Sequence, residues 1–286
     1  MSFKKLLKGI GYSLFQQNRM VLLDYPGNLQ ASYSVKGKNP HQGLYQLINS
    51  NRKFYQQHLR QSLVWIEKFN DIQDEAGEDE TKPHWNNQFF PPLDMLMQYS
   101  LLAQFKPSQY LEIGSGTSTT VAYKCRQEQS LNFSITAIDP SPRKQISKIT
   151  DSLIKKNLQH TNLEIFKALQ PNDVVFFDGT HLLFPNSDVM WFFLEVLPVL
   201  QKGVIIQVHY VYLPYDYPEF MLSRFYNEQY LLAALLLNHP QKFETLSPNF
   251  FISSDAELSS LLNPFFQLPQ LKNKEQHGGS FWFRIM

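Results

Sequence analysis

The chain has 286 residues and lacks the features that mark several large protein classes. It holds one cysteine, Cys125, so no intramolecular disulfide can form and no cysteine cluster can bind zinc. A reducing, cytoplasmic compartment is the resulting expectation, and Cys125 reads as a small core residue. An excess of one charge sign is also missing. With a formal net charge of +1, nothing electrostatic points to nucleic acid or an anionic membrane as the main partner. No window approaches the ~18 consecutive apolar residues of a transmembrane helix. The nearest, "YLLAALLL" at 230–237, reads as the buried face of a helix. The opening "MSFKKLLKGIGYSLF" has neither the sustained apolar stretch nor the small-residue cleavage site of a signal peptide. Its Lys4, Lys5 and Lys8 beside Phe3, Leu6, Leu7 and Ile10 suit a plain terminal helix, weak membrane-surface contact being the other reading.

What is present is the composition of a globular domain, 43% hydrophobic and 18% charged, so a packed core is expected. Aromatics are heavy at 14%, which suggests a ring-rich core or a cleft with aromatic walls. Residues 71–83, "DIQDEAGEDETKP", carry six acidic side chains before their single lysine and read as a solvated linker. That places a boundary between a helical extension, 1–80, and a second domain, 81–286. Within the extension, the apolar spacing of residues 42–69 predicts one long helix or two. Residues 25–42 are turn-rich.

Beyond residue 83 strands and helices alternate. Helices are expected at 94–105, 117–127, 142–156 and 188–200, and strands at 110–113, 133–138, 163–166, 174–177 and 204–208. Near-continuous apolar strands between helices indicate a parallel sheet covered on both faces. Three tail segments, 242–246, 249–254 and 280–285, read as strands without helices between every pair, which suits an antiparallel edge. The fold expected is α/β, a Rossmann-like doubly wound sheet.

In such sheets ligands sit beyond the carboxyl ends of the strands. This sequence places there Glu112 with Gly114, Ser115 and Gly116, then Asp139, Asp178 with His181, and His209. The first glycine permits a tight turn with positive φ, and the second lets the backbone approach a ligand closely. Asp139 ends the second strand, where a carboxylate can accept from both hydroxyls of a ribose. That half-site suits NAD and S-adenosylmethionine alike. A dinucleotide fingerprint needs a third small residue, and here Thr119 stands in its place. Glu112 would oppose a diphosphate and suit a cation. The residues favour the methyl donor, with an NAD-linked enzyme as the weaker reading.

The segments "KPHWNNQFFPPLDML", "KPSQYLEIGSGTSTT", "AIDPSPR", "VVFFDGTHLLFPNSDV", "VHYVYLPYDYP", "YNEQYLLAALLL" and "GGSFWFRI" occur in the order of a bacterial family of class I S-adenosylmethionine-dependent methyltransferases, which this chain resembles over residues 83–285. The resemblance implies a seven-stranded sheet with an antiparallel last strand. It also implies a methionine-side loop of Glu112, Gly114 and Gly116 and a ribose site at Asp139; it does not identify the acceptor, for which a hydroxyl of a glycan or small metabolite is the expectation. One departure is visible. Where such sequences read H-x-H-D-I-F, this chain reads Gln207-Val208-His209-Tyr210-Val211-Tyr212, keeping one histidine and replacing the aspartate by Tyr210. That departure motivates an alternative, a non-catalytic descendant that binds the cofactor or a partner. Thr180 likewise replaces a serine of the "DGSH" pattern.

Methyl transfer to a hydroxyl needs alignment and the removal of one proton. His209 is the first candidate for the base. Asp178 and His181 are the second, as base and orienter or as acceptor-binding groups. A divalent cation on Asp178, His181 and His209 is possible but not favoured. The aromatic loop 210–220, "YVYLPYDYPEF", together with Trp85, Phe89 and Phe90, would suit an acceptor wall. Arg143 is a candidate for an acceptor carboxylate.

Overall fold

In a computed structural model, the residues described are Ile10, 29–142 and 145–286. The expectations for the amino-terminal helix and for Arg143 lie outside them. The chain divides into two compact units, Met1–Gln30 and Ala31–Met286. The boundary expected near residue 80 falls inside the second unit, which carries the whole sheet.

Seven strands form this sheet: β1 (Gln109–Ile113), β2 (Ser134–Ile138), β3 (Ser152–Ile154), β4 (Val174–Phe177), β5 (Ile205–Val208), β6 (Phe243–Pro248) and β7 (Phe281–Ile285). Their order is β3-β2-β1-β4-β5-β7-β6. The first five run parallel, and β7 enters antiparallel between β5 and β6. All residues of β4 and β5 are buried, as expected of parallel strands covered on both faces. The chain leaves β3 at one edge to return as β4 beside β1, so a crevice opens between the carboxyl ends of β1 and β4.

Helices α1 (Gln42–Asn49), α2 (Arg52–Ser62), α3 (Pro92–Phe105), α4 (Thr117–Glu128) and α5 (Glu228–Asn238) frame this sheet. Leu44, Ile48, Tyr55 and Leu59 of the first two join the same apolar core as the sheet strands. α3 starts on a proline pair, which costs nothing where the N–H has no helical partner, and ends on a left-handed Lys106. Most of α3 is buried, which makes it a core helix. In α4, Cys125 is fully buried and its thiol faces the Tyr99 carbonyl. Among the described residues no helix is long and apolar enough to cross a membrane.

Three local expectations are corrected. In place of the helix expected over 142–156, the described residues 145–156 carry a short turn at Ile146–Lys148 that leads into β3. Asp151 fixes that path by accepting from the Ile135 N–H and from Arg126. The strand expected at 163–166 is a helical turn, Glu164–Lys167, started by the Asn162 side chain accepting from the Glu164 N–H. The strand expected at 249–254 is a helix, Asn249–Ser254. Pro248 ends β6; the Asn249 N–H still donates to the Ser280 carbonyl, and its side chain is bound by Ser247 and Asp94 as the helix begins. The acidic segment 71–83 lies on the surface, pinned by Asp71 to Lys124 at 2.7 Å and by Asp74 to Lys274 at 2.8 Å.

Candidate functional site

The turn from β1 into α4 sets the first half of the site. Gly114 has φ 78°, and a Cβ there would fall 2.1 Å from the Asp178 carbonyl oxygen, so only glycine fits where the β1 and β4 ends meet. Gly116 differs. A Cβ on it would meet nothing within 4 Å, so its bare backbone faces open space. Gly116 donates its N–H to the Thr119 hydroxyl at 3.0 Å. Thr119 and Ser118 in turn donate to the Glu112 carboxylate, which is fully buried beneath the loop. Burial, together with the nearby charges of Asp178 and Asp139, pushes the Glu112 carboxyl up to about 8 against the pull of those two hydroxyls.

Asp139 follows β2 and is half-buried. One of its oxygens accepts from the Ser115 N–H at 2.9 Å and the Ser115 hydroxyl at 2.7 Å, the other from the Ser141 N–H at 2.8 Å. Three of roughly four acceptor positions on the carboxylate are thus filled, two by the glycine loop and one by the chain just after β2. Asp178 follows β4, and its side chain is 32% exposed. Gly114, Ser115, Gly116, Asp139, Asp178 and His181 all line one cleft of about 1900 Å³. Single small-molecule sites usually enclose ~300–1,000 Å³, so the cleft has room for two ligands.

The second half lies beyond β4 and β5. His181 has φ 63° and Tyr210 φ 56°, a backbone state that side-chain-bearing residues rarely adopt and that concentrates at functional sites. The His181 ring is buried, with Nδ1 2.6 Å from an oxygen of the wholly buried Glu228 and Nε2 3.5 Å from Asp178. Burial alone would lower the His181 value, but Glu228, Asp178 and Asp188 together raise it from 6.5 to about 9. Tyr210 and Tyr226 pack against this ring at 4.9 and 4.6 Å.

His209 is placed differently. It is 1% exposed and is not among the residues lining the cleft. Its Nε2 lies 2.9 Å from the Phe89 carbonyl, so that nitrogen carries the proton and donates. Its Nδ1 faces the Ser280 hydroxyl at 3.3 Å. The Tyr210 ring lies 4.2 Å from it, and the Tyr210 hydroxyl donates to the same Phe89 carbonyl at 3.3 Å. Behind it, the buried Asp94 accepts from Asn249, Gly279 and Ser280. The ring therefore sits in a packed polar cluster, and neither nitrogen is presented to the cleft.

Of the residues singled out in the sequence, the structure brings Gly114, Ser115, Gly116, Asp139, Asp178 and His181 to the cleft, with Glu112 directly under the loop and His209 behind the wall. Asp178, His181 and His209 do not converge on one point, and the described residues contain no group of three or more His, Cys, Asp or Glu able to hold a metal ion. The loop 210–220 lines the cleft, as do Trp85, Phe89 and Phe90. Asp94 and Glu228 were missed because their partners lie far away in sequence. The one local signal was Gly278-Gly279: a Cβ on Gly278 would lie 2.6 Å from Asn249 and 2.7 Å from Asp94.

Residues 111–211, about a third of the chain, match a family profile described as a methyltransferase domain. No curated protein matches the chain. Among solved structures the chain is similar to the plantazolicin methyltransferase BpumL in complex with SAH, at 15% identity over 83% of this chain and 98% of that one, with a TM-score of 0.41. It is also similar to the O-methyltransferase TomG from Streptomyces achromogenes in complex with SAM, at 13% identity over 100% of both chains and a TM-score of 0.35. A third is the O-methyltransferase from Bacillus cereus in complex with SAH, at 14% identity over 80% of this chain and 91% of that one, with a TM-score of 0.37. The seven-stranded sheet with its reversed last strand is the Rossmann-like methyltransferase fold.

Proposed function

We propose that this protein is an S-adenosylmethionine-dependent methyltransferase acting on a hydroxyl of a glycan or small metabolite. The observation that carries the reading is the glycine turn set among three carboxyl groups, Glu112, Asp139 and Asp178, at the crevice between β1 and β4. A diphosphate would meet the carboxylates of Asp139 and Asp178 there, and the Gly116 N–H it would seek already donates to Thr119. A ligand that carries a sulfonium and an ammonium and no phosphate fits that surrounding. When bound, S-adenosylmethionine supplies a methyl group already activated for in-line displacement.

The chain's own residues bind and orient. Asp139 accepts from the ribose hydroxyls, with the Ser115 hydroxyl giving way because it occupies the same carboxylate oxygen. The open face of Gly116 admits the ligand close to the backbone, Asp178 supplies negative charge for its cationic end, and Glu112 beneath the loop holds the turn through Ser118 and Thr119. Past this, the aromatic loop 210–220 and Phe89 form the wall of the remaining volume. The loss of an aspartate at position 210 does not strip that end of polar groups, since Asp178 and His181 still line it.

The test is calorimetric titration of the wild-type protein and Asp139→Ala with S-adenosylhomocysteine. Loss of the ribose acceptor is expected to weaken binding by more than about tenfold, the scale of ~1.5–3 kcal/mol for a hydrogen bond to a charged group. Equal affinity in the two proteins would take Asp139 out of the site.

A further inference from the structure

We propose that His181, held by the buried carboxylate of Glu228, is the group that takes the proton from the acceptor hydroxyl. This rests on the methyltransferase reading above and goes beyond it by naming a base and its positioning residue.

The geometry is that of an imidazole set between an orienting carboxylate and an open cleft. Glu228 stands in the first turn of α5, where the helix N-terminus favours negative charge. One of its oxygens is 2.6 Å from His181 Nδ1, and the other has no hydrogen-bond partner among the described residues. That pairing makes Nδ1 the protonated nitrogen of the neutral ring and leaves the Nε2 lone pair as the basic site. A carboxylate that fixes the tautomer in this way is the arrangement used by catalytic histidines on unrelated folds. Nε2 is 3.5 Å from Asp178, a loose contact. The loop carrying His181 is fastened to the start of α5 by two further bonds, from the Asn227 N–H to the His181 carbonyl and from the Leu183 N–H to the Asn227 side chain. His209 offers no comparable nitrogen, since both of its own are engaged behind the cleft wall.

The groups facing the His181 ring are Glu228 from α5, Asp178 after β4, Asp188 from the turn Asp188–Trp191, Tyr210 after β5 and Tyr226 before α5. The three carboxylates hold the ring protonated in the free protein. A cation arriving beside Asp178 offsets them and favours the neutral, basic form. In the transfer step the acceptor oxygen bonds to the methyl carbon as the methyl–sulfur bond breaks. The sulfur leaves as a neutral thioether, and the hydroxyl proton passes to Nε2. The imidazolium so formed is neutralised by Glu228.

The experiment is nitrogen-15 NMR of the full-length protein labelled in histidine, with the His181 signals assigned by their loss in His181→Gln. In the free protein the ring should titrate well above its ordinary 6.5, and its neutral form should carry the proton on Nδ1. Glu228→Gln should lower the midpoint by at least about one pH unit, tenfold in the protonation equilibrium. Saturation with S-adenosylmethionine should place the midpoint below that found with S-adenosylhomocysteine, because the two differ only by the methyl group and its charge. A histidine paired with Glu228 for structure alone, remote from the methyl group, would not register that difference. A neutral ring protonated on Nε2, or equal midpoints with the two ligands, overturns the proposal. Both measurements use the wild-type chain, so they decide the matter even if Glu228→Gln does not fold. Failure of the underlying methyltransferase reading would appear separately, as no binding of either ligand.

Discussion

At the cofactor end of the cleft the polar groups are near neighbours in sequence, whereas at the acceptor end they are assembled from across the chain. Glu112 is held by Ser118 and Thr119, six and seven residues on, and Ser115 reaches Asp139 across 24. At the other end His181 meets Glu228 across 47 residues, His209 meets Phe89 across 120, and Asp94 meets Gly279 across 185. A turn built from local bonds keeps its shape almost independently of its surroundings. A wall built from distant contacts exists only when the whole sheet has closed. In the proposed reading the first holds the methyl donor and the second faces the acceptor.

This contrast can be broken by substitution. The largest effect is expected for Gly114→Ala, which sets a Cβ against the Asp178 carbonyl at positive φ. Strain plus overlap should cost on the order of 4 kcal/mol in denaturant unfolding and abolish binding of S-adenosylhomocysteine as well. Asp94→Asn comes next. It turns an acceptor toward three donors into a partial donor and should cost about 3 kcal/mol, yet leave S-adenosylhomocysteine affinity within about threefold, because it stands outside the cofactor end.

Glu112→Gln separates stability from charge. Folded Glu112 keeps its proton up to about pH 8, whereas the unfolded carboxyl loses it near 4.5. Between those values unfolding releases a proton, so the wild-type protein loses stability as pH rises, and the loss is complete above about 8. The glutamine variant mimics the protonated form. It should match wild type near pH 4.5 and melt at a higher temperature at pH 8 and above, as thermal unfolding across that range would register. Equal melting temperatures throughout would contradict the assigned environment of Glu112. The smallest effect on folding is expected for Gly116→Ala, whose new methyl meets open space. Stability should change by no more than ~0.5 kcal/mol while S-adenosylhomocysteine binding weakens, a split that Gly114→Ala cannot show.

The same contrast explains what was legible in the sequence. β4 and β5 stand out as near-continuous apolar runs, β2 by its alternation and β1 as a short run into the glycine turn, and that turn with Asp139 follows from their ends. β3 has three residues and no apolar pattern of its own, so the surrounding residues read as helix. Residues 249–254 carry Phe250, Phe251 and Ile252, which suit a strand, whereas the helix they form holds Asn249 to the distant Asp94, a contact no local spacing reveals. His209 was placed correctly at a strand end, but its burial depends on Phe89 and Tyr210, which no local spacing reveals. Glu228 carries no local signal, because its partner approaches from the end of β4, 47 residues away.

The central claim is that the carboxyl-edge turn is a site for a cationic methyl donor. It is tested most directly by titrating the wild-type protein in a calorimeter with S-adenosylmethionine, S-adenosylhomocysteine and NAD in parallel. Binding of the first two without the third is the predicted result. Binding of NAD, or of none of the three, would contradict it.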